Sequence, residues 1–398
     1  MKKFVLILLL CALAGACAAA EPARDVTVEA AFRTMEGDIA GYPLRDRDEN
    51  TGIALPMAPD LEPPYDAPQY LLITPGREAV AAAYIEFGPE ASSVSVDRWD
   101  GDGWVRCATG DNPGYEQLSI SFPPQTGLFR LAFTPLKTGE KAYIRELFLY
   151  TEGTPDSDRF HDWQPPLEKA DILFVATHPD DEVLWFGGAI PWCVNRRWST
   201  QTLTLTCATP QRRLELLNGL WHCGVRNYPQ ILYLTDEKEP RERVMKDWEA
   251  EEALLKIVRQ LRACCPEVVV THGLDGEYGH IQHVLCAELL LQAVPLAADE
   301  GYHPETGAPW QVKKLYLHNA ENTTLAMTWD NPLPMLRART GIRLAREAYA
   351  MHVSQQKRYH QVAAAGEPYD STRYTLALTT VGPDEENNDF FEHIDRKN

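Results

Sequence analysis

The chain has 398 residues, 44% hydrophobic and 24% charged, which suits a globular protein of two or three domains at roughly 150 residues each. With 25 Gly and 29 Pro it is neither collagen-like nor low-complexity. Against 57 Asp and Glu stand only 38 Lys and Arg, and the net charge of -19 excludes a phosphate-backbone binder and charge-driven adhesion to anionic lipid.

Residues 1–20 read as a targeting segment. Lys2 and Lys3 precede an unbroken apolar run from Phe4 to Ala14, and small residues follow. This is the layout of a secretory signal peptide, and the run is shorter than the about 20 residues that span a bilayer. Leu13-Ala14-Gly15-Ala16-Cys17 resembles a bacterial lipoprotein signal with Cys17 as the lipidated residue. Plain secretion, with cleavage among the alanines near Ala18 or Ala20, is the alternative. Either predicts an extracellular or cell-surface protein that meets the membrane only through an anchor at Cys17. No later run is read as long and apolar enough to cross a bilayer. The seven remaining cysteines have no regular spacing and no CxxC pair, so neither a disulfide scaffold nor a cysteine zinc site is expected.

Residues 24–151 read as all-β. Apolar runs at 70–74, 82–87, 94–99, 128–133 and 144–150 alternate with Gly, Pro, Asp and Asn turn signals, the pattern of a β-sandwich. The Asp102-Gly103-Trp104 hairpin and the closing ELFLY run resemble a discoidin-like, galactose-binding type of sandwich. Trp99 and Trp104 read as core residues, with a sugar-stacking face as the alternative. Polar 152–169, with Pro165-Pro166, reads as a linker.

From residue 170 to 398 the texture becomes α/β. ILFVA, TLTLTC at 202–207, ILYL at 231–234, VVVT at 268–271 and KKLYLH at 313–318 predict buried strands. Helices are predicted over 211–224, from Glu242 to Cys264 without a break, and from His283 onward. The predicted fold is a Rossmann-like, mostly parallel sheet with helices on both faces, preceded by the all-β sandwich; ligands would sit at the carboxyl ends of the strands. The acidic tail is expected to pack back through Phe390-Phe391.

Two loops that follow strands carry the chemistry. Thr177-His178-Pro179-Asp180-Asp181-Glu182 brings imidazole and two adjacent carboxylates together, a donor set that suits a divalent metal with one carboxylate left to face its water. Gly276-Glu277-Tyr278-Gly279-His280-Ile281-Gln282-His283 places two imidazoles three residues apart on one face of a starting helix. Alone, the first is also explained as a polar helix entry and the second as two surface histidines at a helix start. Together they would meet at one edge of one sheet.

At these residues the sequence resembles the LmbE-like, PIG-L family of zinc N-deacetylases. The family's AHPDDE and GHPDH loops correspond to THPDDE and GHIQH. Its R-x-x-E-L, L-G-V and A-x-x-x-H-x-S-Q patterns correspond to Arg212–Leu216, Cys223-Gly224-Val225 and Ala348–Gln355. The resemblance implies that His178, Asp181 and His283 hold Zn2+, with Fe2+ also accepted by such a ligand set. It implies Asp180 as general base, and His280 and Tyr278 facing the developing oxyanion. Arg212, Asp236 and His352 would line the substrate pocket. Gln282 stands where the family often has Asp, so the partner expected for His280 is missing. The implied function is deacetylation of an N-acetylated amino sugar or glycoconjugate. An ester or phosphoester hydrolase, or a non-catalytic glycan-binding surface protein, remain the competing readings.

Overall fold

The computed structural model describes residues 21–46, 51–56, 68–88, 91–112, 115–137, 139–155, 160–236, 240–318, 323–356, 361–386 and 388–395. The signal segment, with Cys17, lies outside them. No disulfide links the described cysteines.

The N-terminal region is all-β. Its strands are β1 (Ala31–Thr34), β2 (Gly37–Ile39), β3 (Ile53–Ala54), β4 (Gln69–Thr74), β5 (Val80–Phe87), β6 (Ala91–Trp99), β7 (Trp104–Asp111), β8 (Gln117–Gln125), β9 (Phe129–Pro135) and β10 (Tyr143–Tyr150). They form two antiparallel sheets, ordered β2-β1-β4-β9-β6-β7 and β3-β10-β5-β8. Alternate residues such as Leu71 and Ile73, Val94 and Val96, Leu131 and Phe133, and Leu147 and Leu149 share one buried core, as side chains of period two require. The five apolar runs lie in β4, β5, β6, β9 and β10. β7 and β8 are edge strands with many exposed or half-exposed positions, which left them without an apolar signature. The core reading of Trp99 and Trp104 does not hold. Trp99 is 43% exposed and pairs across β6–β7 with Trp104, their rings 5.3 Å apart, while the Arg130 guanidinium lies over the Trp104 ring.

The C-terminal region is α/β. Its elements are β11 (Ile172–Ala176), α1 (Asp181–Leu184), α2 (Ala189–Asn195), β12 (Thr200–Thr206), α3 (Pro210–His222), β13 (Gln230–Leu234), α4 (Arg241–Asp247), α5 (Ala250–Cys264), β14 (Val268–Thr271), α6 (Gly276–Gly279), α7 (Ile281–Ala298), β15 (Lys314–His318), β16 (Leu325–Ala326), β17 (Pro332–Leu333), β18 (Arg339–Thr340), α8 (Gly341–Tyr349) and β19 (Arg373–Thr379). The main sheet runs β13-β12-β11-β14-β15-β19-β16; the first five strands are parallel, and β19 is antiparallel to both of its neighbours. Ile172, Phe174, Val268, Val270 and Tyr316 point into one apolar layer, shared with α2, α3 and α8. Leu173, Val175, Val269, Leu315 and Leu317 point into the other, shared with α5 and α7. Burial on both faces is why these strands read as continuous apolar runs.

Three details depart from the sequence reading. The helix expected across 242–264 is two. Glu249 sits at φ 47°, and buried Trp248 donates its Nε1–H to the Thr235 carbonyl, anchoring the break. The 18-residue α7 is apolar and long enough to cross a bilayer, but here it packs in the layer with α5. The second half of 152–169 is not a free linker: Trp163 is buried and Gln164 bridges to Asn227. Phe390 and Phe391 do pack back, Phe390 edge-on to Tyr316 and Tyr374. The two regions meet where Arg213 of α3 pairs with Glu116 at 2.8 Å and donates to the Tyr115 carbonyl.

Fully buried Lys314 clamps the tail to the sheet by an ion pair with Asp384, whose other oxygen accepts from the Tyr316 hydroxyl at 2.7 Å. Lys314→Met leaves that carboxylate buried without its cation. It is expected to destabilise the α/β region by about 3–5 kcal/mol, read as a lowered denaturant midpoint.

Candidate active site

All the chemistry collects at the carboxyl ends of the parallel strands. The β11 end delivers His178 to Asp181, the β12 end leads to Arg212 on α3, the β13 end to Asp236, the β14 end to the 276–283 loop, and β15 ends in His318. A pocket of about 80 Å³ is lined here by His178, Asp180, Asp181, Arg212, Asp236, Tyr278 and His280, with Leu184, Trp185, Tyr349 and Gln355 completing its walls.

Three donor atoms form a tight triangle. His178 Nδ1 lies 3.0 Å from Asp181 Oδ2 and 3.1 Å from His283 Nε2, and His283 Nε2 lies 3.3 Å from Asp181 Oδ2. One ion can reach all three at the about 2.0–2.2 Å of a zinc bond. The partners behind them leave these atoms available. Gln282 donates its amide to the Thr235 carbonyl at 2.9 Å, so its Oε1 faces His178 Nε2 at 2.7 Å. That acceptor requires the proton on Nε2 and leaves the Nδ1 lone pair for a metal. His283 Nδ1–H donates to Glu277 at 2.7 Å, which frees Nε2 in the same way. Trp185 Nε1–H holds Asp181 Oδ1 at 3.0 Å, turning Oδ2 inward. The donor set and its supports therefore fit a divalent metal.

His272 is close to Asp181 and His283 but is not a further donor. Its Nε2 accepts the Thr177 backbone N–H at 3.0 Å, which occupies the lone pair a metal would need. Its Nδ1 faces Glu277, as does Nδ1 of His318 at 3.1 Å. Glu277 thus gathers three imidazoles. Burial alone would raise its pKa, but His272 and the surrounding hydrogen bonds hold it well below the carboxylate range. Its backbone at φ 58° lies between Gly276 at 66° and Gly279 at 84°, a turn that needs the two glycines.

Asp180 stands beside the triangle at φ 120°, a conformation costing an L-residue on the order of 1–3 kcal/mol. Its N–H is held by Glu182 at 2.9 Å, and the Arg212 guanidinium lies 3.3 Å from its Oδ1 and also binds the Pro179 carbonyl. Burial, then the neighbouring Asp181 charge, push the Asp180 pKa up to about 7. His280 is pushed down to about 3 by burial and by His178 and His283, so it is neutral near pH 7. Tyr278, 43% exposed, stands at the mouth, its ring centre 5.7 Å from those of His280 and His283.

The structure thus brings together His178, Asp180, Asp181, His283, His280, Tyr278, Arg212 and Asp236, the last 3.6 Å from His178 Nε2. It does not bring His352 to the pocket. That side chain is fully buried behind Glu182, 3.1 Å from its Oε1, and Glu182 in turn accepts from the Asp180 N–H. Gln282 also differs from expectation, because it serves His178. Glu277 and Glu182 were given no role in the sequence, and Trp185 reads there only as a core or rim residue, where it is found. The available signal was an acidic residue within a His-bearing loop, since imidazole ligands take carboxylate partners. Gln282→Leu removes the acceptor that sets the His178 tautomer. It is expected to weaken divalent-metal affinity by about 10–100-fold in chelator competition.

Residues 173–294 match the family model described as PIG-L, GlcNAc-PI de-N-acetylase. The match lies within the α/β region and includes His178, Asp181 and His283. Among curated relatives, a 1D-myo-inositol 2-acetamido-2-deoxy-alpha-D-glucopyranoside deacetylase of Frankia casuarinae is 28% identical over 204 residues, covering 41% of this chain and 64% of that protein. A deacetylase of the same description from Segniliparus rotundus is 47% identical over 181 residues, covering 36% of this chain and 56% of that protein. The chain thus spans less than two thirds of the length of these relatives. A solved N,N'-diacetylchitobiose deacetylase from Pyrococcus horikoshii is 20% identical, covers 49% of this chain and 74% of its own, and has a TM-score of 0.37.

Proposed function

We propose that the chain is an exported, zinc-dependent deacetylase that hydrolyses the acetamide of an N-acetylated amino sugar of GlcNAc type. The observation that carries this reading is the triangle of His178 Nδ1, Asp181 Oδ2 and His283 Nε2 beside a carboxylate that none of the three uses. The parallel strand order supports the Rossmann-like description, and the apolar run from Phe4 supports export, with Cys17 as the anchor where it is lipidated.

An acetamide is a poor electrophile with a poor leaving group. His178, Asp181 and His283 would hold a divalent cation, which would supply Lewis-acid polarisation of the carbonyl and an acidified water. Asp180 accepts the proton of the attacking water. Burial and the neighbouring Asp181 charge push its pKa up from the usual carboxylate range, which favours a group that must take a proton and give it back. Arg212 fixes the carboxylate that does so. Tyr278 and neutral His280 donate hydrogen bonds to the developing oxyanion, each worth about 2.7–4 kcal/mol where such donors are removed. A neutral His280 is no proton source for the amine, so Asp180 returns its proton to the departing nitrogen. Acetate and the free amino sugar leave.

The test is product analysis on matched N-acetyl, O-acetyl and phosphoester sugars. Acetate from the N-acetyl compounds supports the reading. Turnover confined to esters or phosphoesters overturns it.

A further inference from the structure

Asp180 keeps its strained backbone because the peptide before it is pinned on both sides. Arg212 binds the Pro179 carbonyl, and Glu182 Oε2 accepts the Asp180 N–H of the same planar peptide at 2.9 Å. The peptide after it is fixed as well. The Asp180 carbonyl accepts the N–H groups of Val183 at 3.1 Å and Leu184 at 2.9 Å, in the first turn of α1. With both flanking peptides set, Asp180 is left at φ 120°, and the direction of its side chain follows.

Glu182 is itself held. It is 1% exposed, and its Oε1 lies 3.1 Å from Nε2 of fully buried His352. One face of α3 supports the assembly, because Arg212, Glu215 and Gly219 are spaced three and four residues apart. Arg212 takes the Pro179 carbonyl and faces Asp180 Oδ1. Glu215 accepts from the Ser354 N–H at 2.7 Å and its hydroxyl at 2.6 Å, which fixes the turn that follows His352. Gly219 leaves the room that the Glu182–His352 pair fills. A Cβ there would stand 3.0 Å from His352 Nε2 and 3.7 Å from Glu182 Oε1. Gly inside a helix costs about 0.5–1 kcal/mol against Ala, and the packed pair gives the reason for it here.

Resting on the deacetylase reading, we propose that Glu182, braced by His352, is the positioning residue of the general base: by holding the Asp180 N–H it locks the backbone that points the Asp180 carboxylate into the pocket beside the His178, Asp181 and His283 triangle. Its two oxygens go to the Asp180 N–H and to His352, so it serves the base and not the metal. Without that acceptor the Pro179–Asp180 peptide turns over, φ relaxes, and the carboxylate swings away from the water it must deprotonate.

Glu182→Leu removes the acceptor, whereas Glu182→Gln keeps one. In the isotope-labelled, metal-free chain, NMR is expected to show the Asp180 amide exchanging at least about tenfold faster in Glu182→Leu, with Glu182→Gln close to the wild type. In the Zn2+-loaded chain acting on N,N'-diacetylchitobiose, Glu182→Leu is expected to keep its metal and lose about 10–100-fold in kcat at unchanged KM, most of it restored in Glu182→Gln. Gly219→Ala favours α3 but presses on His352, and it is expected to keep its metal and lower kcat by about threefold to tenfold. An Asp180 exchange rate or a kcat that Glu182→Leu leaves unchanged overturns the proposal, as does equal loss of metal and turnover, or a Glu182→Gln no better than Glu182→Leu. Where Glu182→Leu does not fold, an unchanged kcat in Gly219→Ala overturns it. A wild type that releases no acetate instead overturns the deacetylase reading, while the exchange of the Asp180 amide in Glu182→Gln and Gly219→Ala still decides whether the Glu182–His352 pair holds that backbone.

Discussion

Asp180→Asn is expected to keep its metal and lose turnover by about 10²–10⁴-fold. The substitution preserves the shape of the side chain and leaves the three donor atoms with all their supports. Asn cannot take a proton from water, and it cannot return one to the amine. The pH profile gives the sign. The base must be ionised, and burial with the Asp181 charge raises Asp180 to about 7 in the metal-free chain. A bound cation draws that value down. The activity of the loaded wild type should therefore fall as pH drops from below about 7, and this acid limb should be missing from whatever activity Asp180→Asn retains. Equal loss of metal and turnover in this variant would show that ligand and base have been exchanged.

His283→Ala is expected to lose the metal. It deletes one of three donor atoms and leaves Glu277 without the imidazole at 2.7 Å that it orients. Metal content of the dialysed protein should fall from one equivalent to near none, and acetate release with it. Glu277 keeps His272 and His318, so the fold should survive, as a retained near-ultraviolet circular dichroism spectrum would show. The contrast with Asp180→Asn separates holding a metal from using it, since one substitution removes metal and turnover and the other only turnover.

Much of this site was legible because it is local. His178, Asp180 and Asp181 follow a five-residue buried strand, and β11 places them at its carboxyl end without help from elsewhere. His283 follows β14, which lies next to β11, so the two loops had to converge. What escaped was long-range. Glu277 acquires its role only when His272, His283 and His318, from the ends of two strands and a helix, close around it. Gln282 stands next to His283 in sequence but crosses to His178, a reach set by the loop that joins α6 to α7. His352 sits in a matching pattern, yet the packing of α8 on α3 buries it one residue deeper, behind Glu182. In the fold, β19 was not predicted. It is an antiparallel strand with one well-buried position, and its register is set by β15 and not by its own pattern.

The stoichiometry of metal-dependent amide hydrolysis is the decisive measurement. The chain, stripped with a chelator and titrated with Zn2+, would be followed by acetate release from N,N'-diacetylchitobiose. Activity that is absent in the stripped protein and saturates at one equivalent of Zn2+ per chain is the predicted result. Activity that climbs to two equivalents, or acetate release that persists without metal, would contradict a single ion held by His178, Asp181 and His283.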